Sequence, residues 1–313
     1  MRPVAFALLL TLCACASAPP PAVQTAAPAD RLLEDVRILS ADDMEGRKVD
    51  TPGSAKARAY IEQRFAEAGI EPFGDNYEQP FIFTDKGASH QGVNVIGRIE
   101  GTARSHARRV LVVTAHYDHE GVVDGEIYNG ADDNASGVAA LLAIAGQFAA
   151  DPPRHDIVFA AVDAEEGGDR GSRVLVSDPP VPLASVVLNV NLDMLSKNDR
   201  NELYVAGASH WPFMKPRLEA LAAGAPVTLK LGHDTAAWGE SQDWTTESDH
   251  IAFHERGIPW LYFGVEDHPD YHKPTDDFAT IPQDFFRRSV QTVTQAVRAF
   301  DDDLDAIAKE AGR

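Results

Sequence analysis

The chain has 313 residues, 44% of them hydrophobic, and a formal net charge of −20 at pH 7. An acidic excess of this size argues against nucleic acid as a partner, because binding to a phosphate backbone depends on Lys and Arg displacing condensed counterions. No apolar stretch reaches the roughly 20 residues that a membrane-spanning helix needs, so we expect a soluble protein beyond the N-terminus.

The first 15 residues have the pattern of an export signal. Met1 and Arg2 supply a short positive region, and residues 4–12 form an apolar region of signal-peptide length. Leu12-Cys13-Ala14-Cys15 then resembles a bacterial lipobox, which predicts that Cys15 is acylated after cleavage. Plain secretion, with cleavage after the Ala-x-Ala-like run Ala14-Cys15-Ala16, is the alternative.

This signal predicts a location in the bacterial cell envelope, in the outer membrane or the periplasm. Contact with a membrane is expected only through the lipid on Cys15. Both cysteines of the chain lie in this segment, so the folded part offers neither a disulfide nor a thiolate ligand. Any metal there must be held by His, Asp and Glu, which is typical of catalytic sites with an open coordination position.

The remainder of the chain divides into a tether and one domain. Residues 16–29 are rich in Ala and Pro and cannot bury enough apolar surface to offset chain entropy, so we interpret them as a disordered tether. Residues 30–313 contain no internal repeat and no second linker, which favours a single domain.

Within that domain, helices are predicted first and strands then alternate with helices. The predicted helices are 31–39, 55–68, 136–148, 212–223 and 283–307. The predicted strands are 93–99, 110–114, 157–162, 186–192, 203–205 and 260–265. This alternation is typical of a three-layer α/β/α domain with a mostly parallel mixed sheet.

Metal-capable side chains follow four of these strands. They are His116 and Asp118 after 110–114, Glu165 and Glu166 after 157–162, Asp193 at the end of 186–192, and His272 beyond 260–265. Sites in open α/β sheets form outside the carboxyl ends of strands, so these groups are expected to meet. Asp133 lies in a glycine-bounded loop before a helix. Because a buried cluster of carboxylates without cations is strongly repulsive, the set predicts a metal site.

The same residues lie in ordered motifs that resemble those of the M28 family of zinc aminopeptidases. The motifs are His116-Tyr117-Asp118, residues 130–137 (GADDNASG), Glu165-Glu166, Asn191-Leu192-Asp193-Met194, Ser248-Asp249-His250 and His272-Lys273-Pro274-Thr275-Asp276. Residues 42–47 and 51–53 are similar to the entry segment of that family. The resemblance runs from about residue 39 to residue 275.

The resemblance implies a role for each motif residue. It implies that His116 and Asp193 bind one zinc ion, that Glu166 and His272 bind a second, and that Asp133 bridges the two. Glu165 is the implied general base. Asp118 is implied to accept the second ring N–H of His116 and so to orient that ligand.

Other residues near the motifs have less definite roles. Asp249 and His250 are candidates for supporting the metal ligands, and His268 and Tyr271 are candidates for lining the substrate pocket. His119 is expected to be a loop residue without a role.

The implied activity is hydrolysis of the N-terminal peptide bond of extracytoplasmic peptides that carry a free N-terminus. Three carboxylates and two neutral imidazoles match a pair of Zn²⁺ ions that activate a water. One alternative is a glutaminyl cyclase, which shares the fold but uses one zinc ion, and another is a non-catalytic binding module on the same fold. The preferred side chain, the oligomeric state and the use of another divalent metal stay open.

Overall fold

The computed structural model describes residues 28–103, 108–239 and 242–313. The predicted export signal with Cys15 and most of the predicted tether lie outside these residues, so those predictions stay untested. Across the described ranges, no helix combines the length and apolar character needed to cross a bilayer.

Eight α-helices are found in the described chain. They are α1 (Pro28–Leu39), α2 (Pro52–Ala68), α3 (Gly137–Ala150), α4 (Arg170–Ser177), α5 (Lys215–Gly224), α6 (Ile251–His254), α7 (Gln283–Asp302) and α8 (Leu304–Glu310). A short 3₁₀ segment, Asp42–Arg47, connects α1 to the loop before α2. Helix α2 begins where Thr51 accepts a hydrogen bond from the backbone N–H of Ser54 and ends at left-handed Gly69, which are the usual start and stop signals.

Eleven strands accompany these helices in the described residues. They are β1 (Glu71–Pro72), β2 (Glu78–Asp85), β3 (Ala88–Ile99), β4 (Val110–His116), β5 (Gly121–Val123), β6 (Glu126–Tyr128), β7 (Asp156–Val162), β8 (Val186–Leu192), β9 (Glu202–Ala206), β10 (Thr228–Leu231) and β11 (Trp260–Gly264). Strands β5 and β6 form a separate hairpin.

The other nine strands form one mixed sheet in the order β1-β3-β7-β4-β8-β11-β9-β10, with β2 also paired to β3. The central strands β7, β4, β8 and β11 are mutually parallel, whereas β3 and β9 pair antiparallel with their central neighbours. Helices cover both faces, so the predicted three-layer α/β/α class is confirmed.

The two-sided covering explains the sequence of the central strands. Every residue of β4 and of β8 is buried. Successive side chains of a strand point to opposite faces. Accordingly, Leu111 and Val113 of β4 lie in the core beneath α1, α2, α3 and α7, whereas Val110 and Val112 lie in the core beneath α4 and α6. A strand buried in this way becomes a continuous apolar run.

The structure also contains elements that the sequence patterns missed. Strand β2, helix α4 and strand β10 were not predicted, and the predicted helix 283–307 is two helices that meet at Asp303. Strand β2 contains Pro80, which removes a backbone donor and is tolerated in sheets mainly at edges. Helix α4 has only eight residues and follows a Gly-Gly pair that is typical of a loop.

Candidate metal centre

The metal-capable residues meet at the carboxyl ends of the parallel strands. His116 is the last residue of β4, and Asp193 directly follows β8. Glu165 and Glu166 lie between β7 and α4, and His272 lies in the loop after β11. Together with Asp133, these side chains line one cavity of about 330 Å³. The structure therefore brings all five implied ligands and the implied base to one place.

Asp133 stands between two sets of donor atoms. Its Oδ1 lies 3.4 Å from His116 Nε2, which in turn lies 3.2 Å from Oδ1 of Asp193. Its Oδ2 lies 3.1 Å from His272 Nε2, which lies 3.5 Å from Oε2 of Glu166. One carboxylate thus presents a different oxygen to each of two His–carboxylate pairs.

The donor set fits divalent cations of the zinc type. Its ligands are imidazole nitrogens and carboxylate oxygens, and no Lys or Arg is among the described residues that line the cavity. Burial raises the pKa of Glu165 well above its usual range, and Asp193 and Asp249 raise it further. Without a cation these buried carboxylates would repel one another, so the composition of the site requires positive charge.

The loop that carries Asp133 is held by a second carboxylate. Asp276 accepts the backbone N–H of Asp132 at 2.9 Å and of Asp133 at 3.1 Å. Lys197 Nζ, 2.8 Å away, balances the charge of Asp276. Gly130 opens the loop at φ 55°, and a Cβ atom there would lie 2.0 Å from the carbonyl oxygen of Asp133. Only glycine fits this turn, which is why the motif begins with it.

Arg47 connects the loops after β4 and before α3 to the end of α1 through hydrogen bonds. Its guanidinium donates hydrogen bonds of 2.6–3.0 Å to the carbonyl oxygens of Leu39, Tyr117, Asn129 and Gly130. The side chain is fully buried, and this burial lowers the pKa of Arg47 to about 10. Arg47 lies in the segment that resembles the family's entry segment, but no role was predicted for it.

Asp118 contacts the site in a different way from the one expected. Its carboxylate accepts the backbone N–H groups of Glu165 at 3.0 Å and Glu166 at 3.3 Å. The Nδ1 atom of His116 lies 3.2 Å from the backbone carbonyl oxygen of Asp118 and 3.7 Å from its carboxylate. The carbonyl is therefore the acceptor for His116, and the carboxylate shapes the Glu165–Glu166 loop.

His119 lies inside the centre, contrary to the expectation of a loop residue without a role. Its Nδ1 is 2.7 Å from Oε1 of Glu166, and its ring is 5.7 Å from that of His272. Burial lowers the pKa of His119 to about 4, so the neutral ring donates its Nδ1–H to Glu166. The available signal was the pair of histidines three residues apart beside one strand end.

The remaining candidates separate into one that lines the cavity and three that lie behind it. Tyr271 lines the cavity and stacks on His272 with a ring separation of 4.0 Å. His268 is not among the residues that line the cavity. Its Nε2 lies 3.1 Å from Oδ2 of Asp132.

Asp249 and His250 are also buried behind the cavity. His250 Nε2 donates to the carbonyl oxygen of Trp244 at 2.8 Å. Both carboxylate oxygens of Asp249 lack a hydrogen-bond partner among the described residues, and burial raises the pKa of Asp249 to about 7. Neither side chain is placed to touch a substrate.

Fold and site together define an α/β/α domain with a centre for divalent metal ions. The chain belongs to peptidase family M28: the model of that family matches residues 94–297, more than half of the chain. The resemblance seen in the motifs is thereby confirmed.

Relatives and solved structures agree with this membership. The chain is 32% identical over 213 residues to aminopeptidase YwaD of Bacillus subtilis, a match that covers 64% of this chain and 42% of that protein. It spans less than half the length of the first curated relatives that it matches.

Two solved structures show the same fold at low sequence identity. A zinc aminopeptidase from Bacillus subtilis has a TM-score of 0.69 and 18% identity, covering 86% of this chain and 94% of that one. A glutaminyl cyclase of Porphyromonas gingivalis has a TM-score of 0.67 and 19% identity, covering 86% and 97%. Because both identities are low, these likenesses establish the fold alone.

Proposed function

We propose that this chain is a zinc aminopeptidase that removes N-terminal residues from peptides outside the cytoplasm. The observation that carries the proposal is the position of Asp133, whose two oxygens face two separate His–carboxylate pairs. A carboxylate shared in this way has a purpose when two ions are present. Family membership and the aminopeptidase among the relatives support the same activity.

Each ligand has a place in this proposal. His116 and Asp193 would hold one ion, Glu166 and His272 would hold the other, and Asp133 would be shared between them. Zinc bound there would supply Lewis acidity to a water molecule and to the carbonyl of the scissile bond.

Glu165 is the proposed general base. It lines the cavity, and together with His116 and Asp193 it belongs to a group whose ligand atoms lie within 4.8 Å of one another. Its carboxylate takes a proton from the attacking water as the water oxygen bonds to the peptide carbon. When the C–N bond breaks, Glu165 returns that proton to the leaving amine.

The charge of the cavity favours a substrate with a free α-amine. Seven acidic side chains line it: Asp133, Glu165, Glu166, Asp169, Asp193, Glu247 and Asp267. Three of these, Asp169, Glu247 and Asp267, are outside the proposed ligand set and its base. An N-terminal ammonium group is attracted to such a cavity, whereas an acetylated terminus has no charge to offer.

A pair of substrates tests the proposed activity. The enzyme should hydrolyse aminoacyl anilides with a free amine and act poorly on the same compounds after N-acetylation. Comparable kcat/KM values for both forms would rule out an aminopeptidase. Conversion of N-terminal Gln to pyroglutamate without peptide cleavage would instead identify a glutaminyl cyclase, the alternative considered from the sequence.

Metal analysis tests the proposed number of ions. About two zinc ions per chain are expected, chelation should inactivate the enzyme, and Asp133→Asn should lower the occupancy of both positions. A preparation that is fully active with one equivalent, and gains nothing from added zinc, would contradict the two-ion centre.

The proposed location depends on Cys15. We expect lipid on Cys15 to anchor the enzyme in the cell envelope, and Cys15→Ser to release it from membranes. Ala16 is not the Asp that is associated with inner-membrane retention, which favours an outer-membrane address. Mature wild-type protein that is unmodified and freely soluble would remove this part of the proposal.

A further inference from the structure

A second cavity, also of about 330 Å³, is lined by residues that directly follow the Glu165–Asp169 loop of the candidate metal centre. Gly168 and Asp169 line the metal centre, and the next residue in the chain, Arg170, lines the second cavity. A Cβ atom placed on Gly168 would lie 3.8 Å from Nη2 of Arg170. The two cavities are therefore neighbours along the surface. We call the second one the α4 groove.

The α4 groove has three structural parts. Helix α4 contributes residues from Arg170 to Ser177, strand β2 contributes Phe81, Ile82 and Phe83, and α6 with the turn after it contributes Ala252, Glu255 and Arg256. Eight helical residues span about 12 Å, which is the length of about four residues of extended peptide. Strand β2 pairs only with β3 among the described strands, so its second edge has no strand partner there.

The charge of the α4 groove is opposite to that of the metal centre. Arg170, Arg173 and Arg256 line it, and Glu255 is its one acidic side chain. Arg173 donates to Glu255 at 2.5 Å, so that pair is neutralised. The side chain of Arg256 is exposed and has no ion-pair partner within the described ranges. In a chain with a net charge of −20, this is a local surplus of positive charge.

Apolar side chains of β2 line the groove beside Arg170. The guanidinium of Arg170 donates to the carbonyl oxygen of Gly167 at 3.0 Å and lies 5.8 Å from the ring centre of Phe83. The rings of Phe81 and Phe83 are 6.0 Å apart. Ile82 is 73% exposed and adds apolar surface beside them. Backbone edge, apolar surface and cationic side chains together suit an extended peptide.

We propose that the α4 groove binds the part of the peptide substrate that follows the cleaved bond, and that it selects acidic side chains there. This inference rests on the proposed aminopeptidase function, because it needs an N-terminus held at the metal centre. A peptide anchored there by its ammonium group passes Gly168 and enters the groove within a few residues. Its carboxylates then meet Arg170 and Arg256, whereas the rest of this acidic protein repels them.

Three matched hexapeptides test the selection. They share the start Leu-Ala-Ala and carry two Glu, two Gln or two Lys at the fourth and fifth positions. We expect kcat/KM to fall in that order, mainly through KM, with about a two- to fivefold gain for each carboxylate that meets an arginine, as for exposed ion pairs. The preference should weaken as salt is added, because exposed charges are screened.

Variants locate the effect. Arg256→Glu should bring the Glu and Lys peptides close to parity, while Lys215→Glu, an exposed charge change on α5, should keep the wild-type preference. Zinc content and Tm of each variant establish that it is folded. Equal rates for the three peptides in the wild type, or a preference that survives Arg256→Glu, would overturn the proposal. Either result is also the one expected if the groove binds another protein instead of the substrate.

A binding measurement separates this inference from the proposed function. The zinc-loaded Glu165→Gln variant should bind the Glu hexapeptide more tightly than the Lys hexapeptide in calorimetry, and Arg256→Glu added to it should remove the difference. If the wild type failed to cleave any free-amine substrate, the aminopeptidase function would fall. If it cleaved them all but neither rate nor affinity depended on the distal charges, only the role of the α4 groove would fall.

Discussion

Two buried His–carboxylate clusters lie at opposite ends of β7. They differ in how far imidazoles and backbone N–H donors offset the charge of the carboxylates. At the start of the strand, Asp301 of α7 accepts the backbone N–H groups of Arg154 at 2.7 Å and of His155 at 2.8 Å. Its Oδ1 also lies 3.2 Å from Nδ1 of His155. At the other end of β7, the candidate metal centre gathers more carboxylates than its own imidazoles can balance.

The pKa values of the carboxyl groups also differ between the two clusters. Burial raises the pKa of Asp301, but the hydrogen bonds from His155 and from two backbone N–H groups outweigh this effect and hold the pKa below its usual range. In the metal centre, burial raises the pKa of Glu165, as it does that of Asp249 behind the cavity, and neighbouring carboxylates raise both further. The pKa of Asp193 lies below its usual range, because the charge and hydrogen bond of His116 outweigh the effect of burial there. A buried His–Asp pair is therefore not a sign of function in itself. A surplus of buried carboxylates that lack hydrogen-bond donors does indicate function, because such a cluster can hold a cation.

The largest expected effect distinguishes the two neighbouring glutamates of the metal centre. Glu165→Gln should lower kcat by about 10²–10⁴-fold while zinc content stays near that of the wild type, because the base moves a proton and holds no metal. Glu166→Ala should lower zinc content.

Kinetics and metal analysis on the same preparations check both variants. Glu247→Gln, the same chemical change at another acid of the cavity, should retain most of the turnover. If Glu165→Gln lost zinc and Glu166→Ala kept it, the two roles would be reversed.

The next effect compares one histidine from each cluster. His119→Ala removes the 2.7 Å contact to Glu166 and should weaken zinc binding by about 10–100-fold, the usual cost of losing a group that orients a ligand. His155→Phe should leave zinc affinity unchanged. Competition with a chelator measures both values. Equal affinities in the two variants would mean that His119 only fills space.

The sequence predicted the centre of the fold better than its edges. Strands β4 and β8 are buried on both faces, so each is a continuous apolar run that can be recognised without a partner. Strand β2 mixes exposed and buried residues and contains Pro80, and its pairing with β3 depends on contacts that local pattern does not encode.

The site was predictable to a similar degree. Strand ends and residue types indicated the positions of His116, Asp193 and Glu166, and the resemblance implied their grouping. The role of Arg47 could not be predicted, because its acceptors come from separate segments of the chain and a lone arginine in a polar stretch usually lies at the surface. The contact of His119 depends on the direction of one side chain, which spacing does not determine.

A smaller effect is expected in the His155–Asp301 cluster. Asp301→Asn places an amide NH₂ group against two backbone N–H donors, so one buried donor loses its acceptor. We expect a loss of about 1–3 kcal/mol in the free energy of unfolding, measured by urea denaturation. The adjacent exposed Asp302→Asn is the matched control and should change stability little. Turnover per folded molecule should not change in either variant, and a loss of activity in Asp301→Asn would contradict the separation of the two clusters.

The smallest effect is the pH dependence of the same cluster. The hydrogen bond from His155 to Asp301 raises the pKa of His155, although burial opposes this shift, and Asp305 lies 3.5 Å from Nε2 of the ring. A pKa that is higher in the folded state stabilises the fold below the unfolded value of about 6.5, and this contribution is lost as pH rises through the folded value. The opposite shift of Asp301 is lost only as pH falls below its ordinary value. The difference in unfolding free energy between wild type and His155→Phe should therefore be greatest from about pH 4 to pH 6.5 and should shrink as pH rises further. The metal centre titrates in both proteins, so its contribution cancels in this difference. A difference that stayed constant over the whole range would mean that His155 stabilises the chain as a neutral ring, and the contrast between the clusters would then rest on hydrogen bonds alone.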